Sequence, residues 1–250
     1  MLNYIRADIK RILANKSHTF SMLLLFAIFF SVLFLPNRTA QVTSVSLVAS
    51  ACELLDWMFV FIGLFEMIAV FSEDFKVKTM QVAIGLGVTR TKVIFCKLLE
   101  VLYLIVLDCI VLTLIVLGIT VSLGTGMPGV VFKDLMVSLL VKGLIGVTIS
   151  TSLTMVVLFF TQSTVLSIFV YVIVGLDVIG LLLSLGTMFG FTWIETFKLN
   201  RVSISYMTNL LYSRLALGQF SVQAFLGVCA YIAVGLVGTC KLFGKKELDF

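Results

Sequence analysis

The chain has 250 residues, of which 60% are hydrophobic and only 12% are charged, and its mean hydropathy is +1.17. A water-soluble domain of this size would not cover its surface with so few charged residues, so the composition excludes an ordinary soluble domain. The net charge of +5 does not indicate a nucleic-acid-binding protein, because the basic residues lie between long apolar runs.

These apolar runs contain roughly 17 to 26 residues, the length that a helix needs to cross about 30 Å of hydrocarbon. Backbone groups inside a bilayer need partners within the protein, so a span is a helix or a strand of a closed barrel. Barrel strands alternate in polarity, whereas these runs are apolar on every face. The sequence therefore predicts an all-α membrane protein, with residues 1–250 forming a single transmembrane domain. The six predicted spans are 19–35, 54–72, 98–123, 136–160, 164–188 and 220–241.

The distribution of basic residues predicts the orientation of these spans. If the N-terminus is cytoplasmic, the inner side holds Arg6, Lys10, Arg11, Lys16, Lys76, Lys78, Arg90, Lys92, Lys97, Lys241, Lys245 and Lys246. The outer side then holds Arg38, Lys133, Lys142, Lys198, Arg201 and Arg214. An excess of Lys and Arg marks the cytoplasmic side, so we expect both termini to be cytoplasmic.

Residues 1–17 precede the first span and combine apolar positions at helical spacing with charged positions on other faces. The apolar positions are Leu2, Ile5, Ile9, Ile12 and Leu13, and the charged ones are Arg6, Asp8, Lys10 and Arg11. This pattern predicts a helix that lies in the inner headgroup layer, with its basic residues near anionic lipid. The alternative is a basic tail that only sets the topology. No A-x-A cleavage site follows, so we expect the first span to be retained.

The cytoplasmic segment 73–92 connects the second and third spans. Ser72 is a suitable N-cap, and Glu73 and Asp74 suit the positive end of a helix dipole. The expected face of this helix consists of Phe75, Thr79, Val82 and Leu86. A short capped helix that projects from two spans is a suitable docking surface for a soluble partner.

The outer segment 189–219 mixes aromatic and aliphatic residues with Lys198, Arg201 and Arg214. It is too apolar for a free loop and too charged for a span. We therefore expect one or two short interfacial or re-entrant helices before the sixth span, with aromatic rings at headgroup depth.

Several ionisable residues fall within the predicted spans, where they are costly and therefore candidates for function. Glu66, Asp108 and Asp177 lie deep, and these acids either line a path that tolerates cationic substrates or are neutral and hydrogen-bonded between helices. The acids expected near the interfaces, and therefore in contact with water, are Glu53, Asp56 and Glu100. For Lys142 the alternatives are that its side chain reaches outward to water or that it pairs with Asp177.

An intramembrane protease or hydrolase is a second class of function. Its usual chemistry needs histidines, metal ligands or a paired Ser–His site, and His18 is the single histidine. Aspartyl chemistry with Asp108 and Asp177 stays open but has no supporting motif. The five cysteines form no CxxC pair, so we expect reduced thiols and no metal site.

The layout resembles the permease subunit of type-2 ABC exporters. Glu73–Thr79 resembles the acidic coupling helix of that family, and Gly87–Arg90 with Lys92 and Lys97 resembles its G-x-S-R-x-K…K stretch. In this chain Lys78 replaces the usual Gly and Thr89 replaces Ser. The resemblance implies that Glu73, Asp74, Phe75, Thr79, Val82 and Arg90 couple the spans to an ATPase.

The resemblance also implies an exporter built from ABC ATPase subunits and two permeases, either a homodimer or a pair of related chains, in a bacterial plasma membrane. ATP and Mg²⁺ would be bound by the partner, and this chain lacks a G-x-x-x-x-G-K-[ST] phosphate loop. The expected substrate is amphipathic or hydrophobic, with a peptide such as a bacteriocin or toxin as the first candidate and glycolipid, drug or ion as others. The competing hypothesis is a stand-alone immunity or receptor protein that transports nothing.

Overall fold

The structure, a computed structural model, describes residues 2–38, 43–77, 79–85, 87–191, 196 and 198–245, without the side chains of residues 2, 3, 73, 75–77, 79, 81, 83 and 245. All regular secondary structure in these residues is helical. The α-helices are α1 (Leu2–Ala14), α2 (Lys16–Asn37), α3 (Ser44–Val77), α4 (Thr79–Gly85), α5 (Arg90–Ser122), α6 (Gly129–Ser138), α7 (Val147–Thr161), α8 (Thr164–Gly175), α9 (Val178–Met188), α10 (Ile204–Ala216) and α11 (Val222–Lys245). A π-helical segment, Leu139–Gly146, joins α6 to α7, and a 3₁₀ turn, Leu199–Val202, precedes α10.

Five helical segments are long and apolar enough to cross a membrane. They are Lys16–Asn37, Ser44–Ser72, Arg90–Ser122, Gly129–Thr161 and Val222–Gly244. Helices α8 and α9 form a sixth if the pair, which is bent by 46°, is counted as one span. The chain is therefore a multi-pass helical membrane protein, and its fifth predicted span is a broken helix rather than a continuous one.

Large apolar side chains are exposed along the outside of these helices, as the hydrocarbon of a bilayer allows. Phe20 is 68% exposed, and Leu114 and Leu226 are each 61% exposed. On a protein in water such extended apolar surface would cause association. Inside the bundle, fully buried residues such as Ile62 on α3 and Ile94 and Ile105 on α5 form the core.

Helices α7 and α11 approach each other closely because Gly235 has no side chain. A Cβ atom at this position would lie 2.6 Å from the backbone of Ser152. Small residues at a helix interface are a common means of packing within membranes, where backbones can then come into direct contact.

The loop between the second and third spans differs from the expectation. Helix α3 continues through Ser72 to Val77, so Ser72 does not cap a new helix. Its apolar span merges with the segment that was expected to be cytoplasmic, because the helix continues past the acidic residues. A separate two-turn helix, α4, follows and is ended by a turn in which Gly87 has a φ of +91°. Leu86, expected on this face, lies outside the described residues.

The segment 189–219, which was expected on the outer side, is helical in much of its described part. It contains the 3₁₀ turn at Leu199–Val202 and the helix α10. Ser203 caps α10, because its hydroxyl accepts a hydrogen bond from the backbone N–H of Tyr206. A short helix before the last span is therefore present, as expected.

Candidate functional site

A buried ion network joins α1, α3 and α5 at one end of the bundle. Its central residue is Lys97 on α5, whose side chain is 0% exposed. The ammonium group contacts carboxylates from three helices: Asp8 of α1, Asp74 of α3 and Glu100 of α5. Arg11 of α1 completes the network with contacts of 2.9 Å to Asp8 and 3.0 Å to Asp74. Two cations and three carboxylates thus hold the three helices together.

Local sequence spacing explains part of this network. Asp8 and Arg11 are three residues apart in α1, as are Lys97 and Glu100 in α5, so each pair lies on one face of its helix. The tertiary contacts arise because Asp74 is presented to both pairs by the extension of α3 beyond the apolar span.

Two sequence-based expectations about these residues are wrong. Glu100 was expected at a hydrated interface, but it is completely buried, with its Oε2 atom 2.9 Å from the ammonium nitrogen of Lys97. The charged residues of α1 were expected away from its apolar face, yet Asp8 is 8% exposed and Ile12 on the same helix is 2% exposed. The side of α1 that faces the bundle is therefore partly ionic.

Tyr4 of α1 lies against the same network. Its ring centroid is 5.5 Å from the ammonium nitrogen of Lys97. Burial of the phenol raises the pKa of Tyr4 to about 12, because the phenolate would lose its hydration.

The residues expected to contact an ATPase have different positions. Asp74 is 1% exposed and belongs to the ion network, whereas Val82 of α4 is 60% exposed. The guanidinium group of Arg90 donates hydrogen bonds to the backbone carbonyls of Phe243 (2.7 Å) and Gly244 (3.3 Å), at the end of α11. Arg90 therefore stabilises a helix C-terminus. The side chains of Glu73, Phe75 and Thr79 lie outside the described residues.

Deeper in the bundle, His18, Glu66 and Asp108 come together from α2, α3 and α5. His18 Nε2 lies 3.0 Å from Glu66 Oε1, and the carboxyl group of Asp108 lies near that of Glu66. Glu66 is 1% exposed and Asp108 is 7% exposed. The structure thus brings together two of the deep acids. The sequence analysis identified His18 only as the single histidine and missed its partner, Glu66.

Lys142 and Asp177 are not paired with each other. The ammonium group of Lys142 lies 2.7 Å from Asp56 Oδ1, donates to the backbone carbonyl of Cys52 at 3.2 Å, and lies 4.9 Å from the ring centroid of Tyr212. The alternative that Lys142 pairs with Asp177 is therefore wrong, because the acid within reach is Asp56 on α3. Asp56, expected to be merely hydrated, is the partner that was missed.

Asp177 lies in the break between α8 and α9, in a left-handed conformation with a φ of +46°. Its carboxylate accepts hydrogen bonds from the backbone N–H of Gly180 (3.2 Å), the hydroxyl of Ser203 and the backbone N–H of Ser205 (2.9 Å). Asp177 therefore caps α9 and attaches the break to the start of α10.

Within the part of the chain that the structure describes, no three His, Cys, Asp or Glu side chains converge in a way that would hold a metal ion. The sequence matches no protein-family model and no curated protein. The assignment of a function therefore depends on the geometry and on the sequence resemblance.

Proposed function

We propose that this chain is the permease subunit of an ATP-driven exporter of the ABC-2 type. It acts in a bacterial plasma membrane with both termini in the cytoplasm, together with ABC ATPase subunits and a second permease copy or a related chain. ATP and Mg²⁺ are bound by the ATPase, and this subunit supplies the path for an amphipathic or hydrophobic substrate. A peptide such as a bacteriocin or toxin is the first candidate.

The observation that carries this proposal is the buried ion network around Lys97. An exporter of this kind has to transmit a movement of the ATPase from the loop between the second and third spans to the membrane helices. Asp74 lies where α3 leaves its apolar span, and Lys97 lies near the start of α5, so the two helices that flank α4 are joined by charge pairs. Such a junction resists local bending, because separating its groups would leave buried charges without partners.

The contacts of Arg90 support the same proposal. They attach the start of α5 to the carbonyl groups of Phe243 and Gly244 near the end of α11. Helices α1, α3, α5 and α11 thus meet at one end of the bundle, beside α4. A force applied to α4 would move several spans together rather than one alone.

Val82 offers a direct test, because it is a large apolar side chain that is 60% exposed on α4. We would purify the full chain, tagged at one terminus, from native membranes in a mild detergent and identify co-purifying subunits by mass spectrometry. ATP hydrolysis by the eluate would be measured in parallel. The variant Val82→Glu should lose an ATPase subunit that contains a phosphate-binding loop, since a carboxylate disfavours an apolar contact.

The matched control is Val130→Glu, which introduces the same charge at a valine that is 73% exposed at the opposite end of the bundle. It should retain the ATPase at the unmodified stoichiometry. If the unmodified chain elutes without an ATPase, the exporter proposal fails and a stand-alone immunity or receptor protein becomes the better explanation. If both variants retain the ATPase equally, α4 is not its contact.

A further inference from the structure

Three interruptions of regular helix meet around one cavity in the bundle. They are the π-helical segment that contains Lys142, the break between α8 and α9 at Asp177, and the start of α10 at Ile204. The cavity has a volume of about 320 Å³, and residues of all three segments line it. π-Helical turns and discontinuous spans both occur frequently at binding sites, because they expose backbone groups and redirect side chains within the membrane.

Two acidic side chains, Asp56 and Asp177, and one basic side chain, Lys142, line this cavity, so acidic groups are in excess by one. The side chain of Lys142 is 14% exposed, and its ammonium group is directed to Asp56, to the carbonyl of Cys52 and to the ring of Tyr212. Asp177 is 6% exposed, and donors from Gly180 and from the start of α10 surround its carboxylate. Asp56 is thus paired with Lys142 through Oδ1, but its side chain is 47% exposed, which leaves the carboxylate accessible to a second cation.

The walls of the cavity also favour a cation with an apolar body. Trp57, Phe59 and Tyr171 line it, and aromatic faces attract alkylammonium groups. Val174, Gly175 and Leu176 add the C-terminal end of α8, where the helix dipole is negative. Hydroxyl groups of Ser150, Ser205 and Thr208 supply further hydrogen-bond acceptors.

We propose that this cavity binds a primary ammonium group carried on an apolar body, with the Asp56 carboxylate, which it shares with Lys142, as its ionic partner. A volume of about 320 Å³ accommodates an alkylamine or the amine-bearing end of a larger amphiphile, but not a whole peptide. The assignment of this ligand as the transported substrate rests on the exporter function proposed above, whereas the binding itself does not.

The two tryptophans of the sequence, Trp57 and Trp193, allow the binding to be measured directly. In a Trp193→Phe background, Trp57 alone reports on the cavity. We would place the full chain in phosphatidylcholine nanodiscs at pH 7 and titrate octylamine, octanol and octanoate while recording tryptophan emission. Octylamine, which is protonated at this pH, should give a saturable change. Octanol and octanoate should change the emission only linearly with concentration, because they partition into the membrane without occupying the cavity.

Variants at Asp56 test the ionic contact. Asp56→Asn should weaken octylamine binding by about tenfold, since a hydrogen bond to a charged group is lost. Asp56→Glu should retain the binding. The control is Glu53→Gln, which removes an exposed carboxylate of the same helix that does not line the cavity, and which should bind octylamine as the parent does.

Saturable binding of octanoate, or equal effects of Asp56→Asn and Glu53→Gln, would overturn the proposal, as would a linear response to octylamine in the parent. Failure here is distinguishable from failure of the exporter function, because the titration involves no ATPase. Saturable octylamine binding without a co-purifying ATPase would support the binding site and contradict the exporter function. A co-purifying ATPase without saturable octylamine binding would support the exporter function and contradict the binding site.

Discussion

The ammonium nitrogen of Lys97 lies 2.9 Å from Glu100 Oε2, and both side chains are completely buried. The two residues are one turn apart on α5, so the helix itself holds them within reach. What makes their burial tolerable is the presence of Asp8 and Asp74 from other helices, which contact the same ammonium group. Lys97 and Glu100 are thus the part of the network that is close in sequence. Their burial depends on Asp8 and Asp74, which are distant in sequence.

Lys97→Met should destabilise the folded chain by about 3–5 kcal/mol, because buried carboxylates would remain without their cation. The measurement is the free energy of unfolding in mixed micelles, with SDS as denaturant and circular dichroism as the signal. Lys92→Met is the matched control, since Lys92 is exposed on the same helix and its replacement should change little. Equal effects of the two substitutions would contradict a structural role for the network.

The double variant Lys97→Met with Asp74→Asn should be more stable than Lys97→Met alone. Removing one carboxylate together with the cation lowers the uncompensated charge that the bundle has to bury. A double-mutant cycle with both single variants gives the coupling energy between Lys97 and Asp74. A coupling energy of zero would show that the two groups do not interact in the folded protein.

Substitutions of Asp108 and of His18, which both lie near Glu66, should have opposite effects on the stability of the protein. Asp108→Asn should stabilise the protein by about 1 kcal/mol, because an amide can donate a hydrogen bond to Glu66 Oε2, which has no hydrogen-bond partner. His18→Ala should cost about 1–3 kcal/mol, because it removes the group 3.0 Å from Glu66 Oε1. Unfolding in SDS again supplies the comparison, and destabilisation by Asp108→Asn would contradict the arrangement.

Gly63 permits a close contact between α3 and α8. A Cβ atom at this position would lie 2.1 Å from the hydroxyl oxygen of Tyr171 and 2.7 Å from Cγ1 of Val147. Gly63→Ala should therefore destabilise the protein by about 1–3 kcal/mol through overpacking. Adding Tyr171→Phe should recover part of this loss, since it removes the hydroxyl group.

Gly118→Ala is the control for this experiment, because no atom lies within 4 Å of a Cβ built at Gly118 in α5. This substitution should stabilise the helix by about 0.5–1 kcal/mol through its effect on backbone entropy. If Gly63→Ala were as favourable as Gly118→Ala, α3 and α8 would not be in contact at this point.

The raised pKa of the Tyr4 phenol predicts that the stability of the protein depends on pH above pH 10. The pKa of Tyr4 is about 12 in the folded protein and about 10 when the side chain is exposed, so folding favours the protonated phenol. The resulting stability is complete below pH 10 and is lost as the pH rises towards 12. The free energy of unfolding should therefore fall less steeply over this range for Tyr4→Phe than for the unmodified chain. Tyr206→Phe, at an exposed position of α10, should not change the slope.

Composition and hydropathy determined the class of this protein by themselves. Runs of apolar residues long enough to cross a bilayer leave the chain few alternatives, because unpaired backbone groups are too costly in hydrocarbon. For the same reason the approximate spans and the short helix α10 could be predicted. Helical periodicity also identified α1, since an amphipathic pattern reports which residues share a face.

The tertiary structure alone decided which helix covers each face, and therefore the partner of each buried charge. Periodicity places Lys142 on a helix, but the acid within its reach, Asp56, is 86 positions away in the sequence and is brought near only by packing. Likewise, His18 meets Glu66 and Lys97 meets Asp74 because α2 and α5 both pack on α3. The break at Asp177 was invisible in hydropathy, because a bent pair of apolar helices and a straight span have the same composition. Contacts between helices depend on the three-dimensional fit of side chains, and a one-dimensional pattern does not contain that fit.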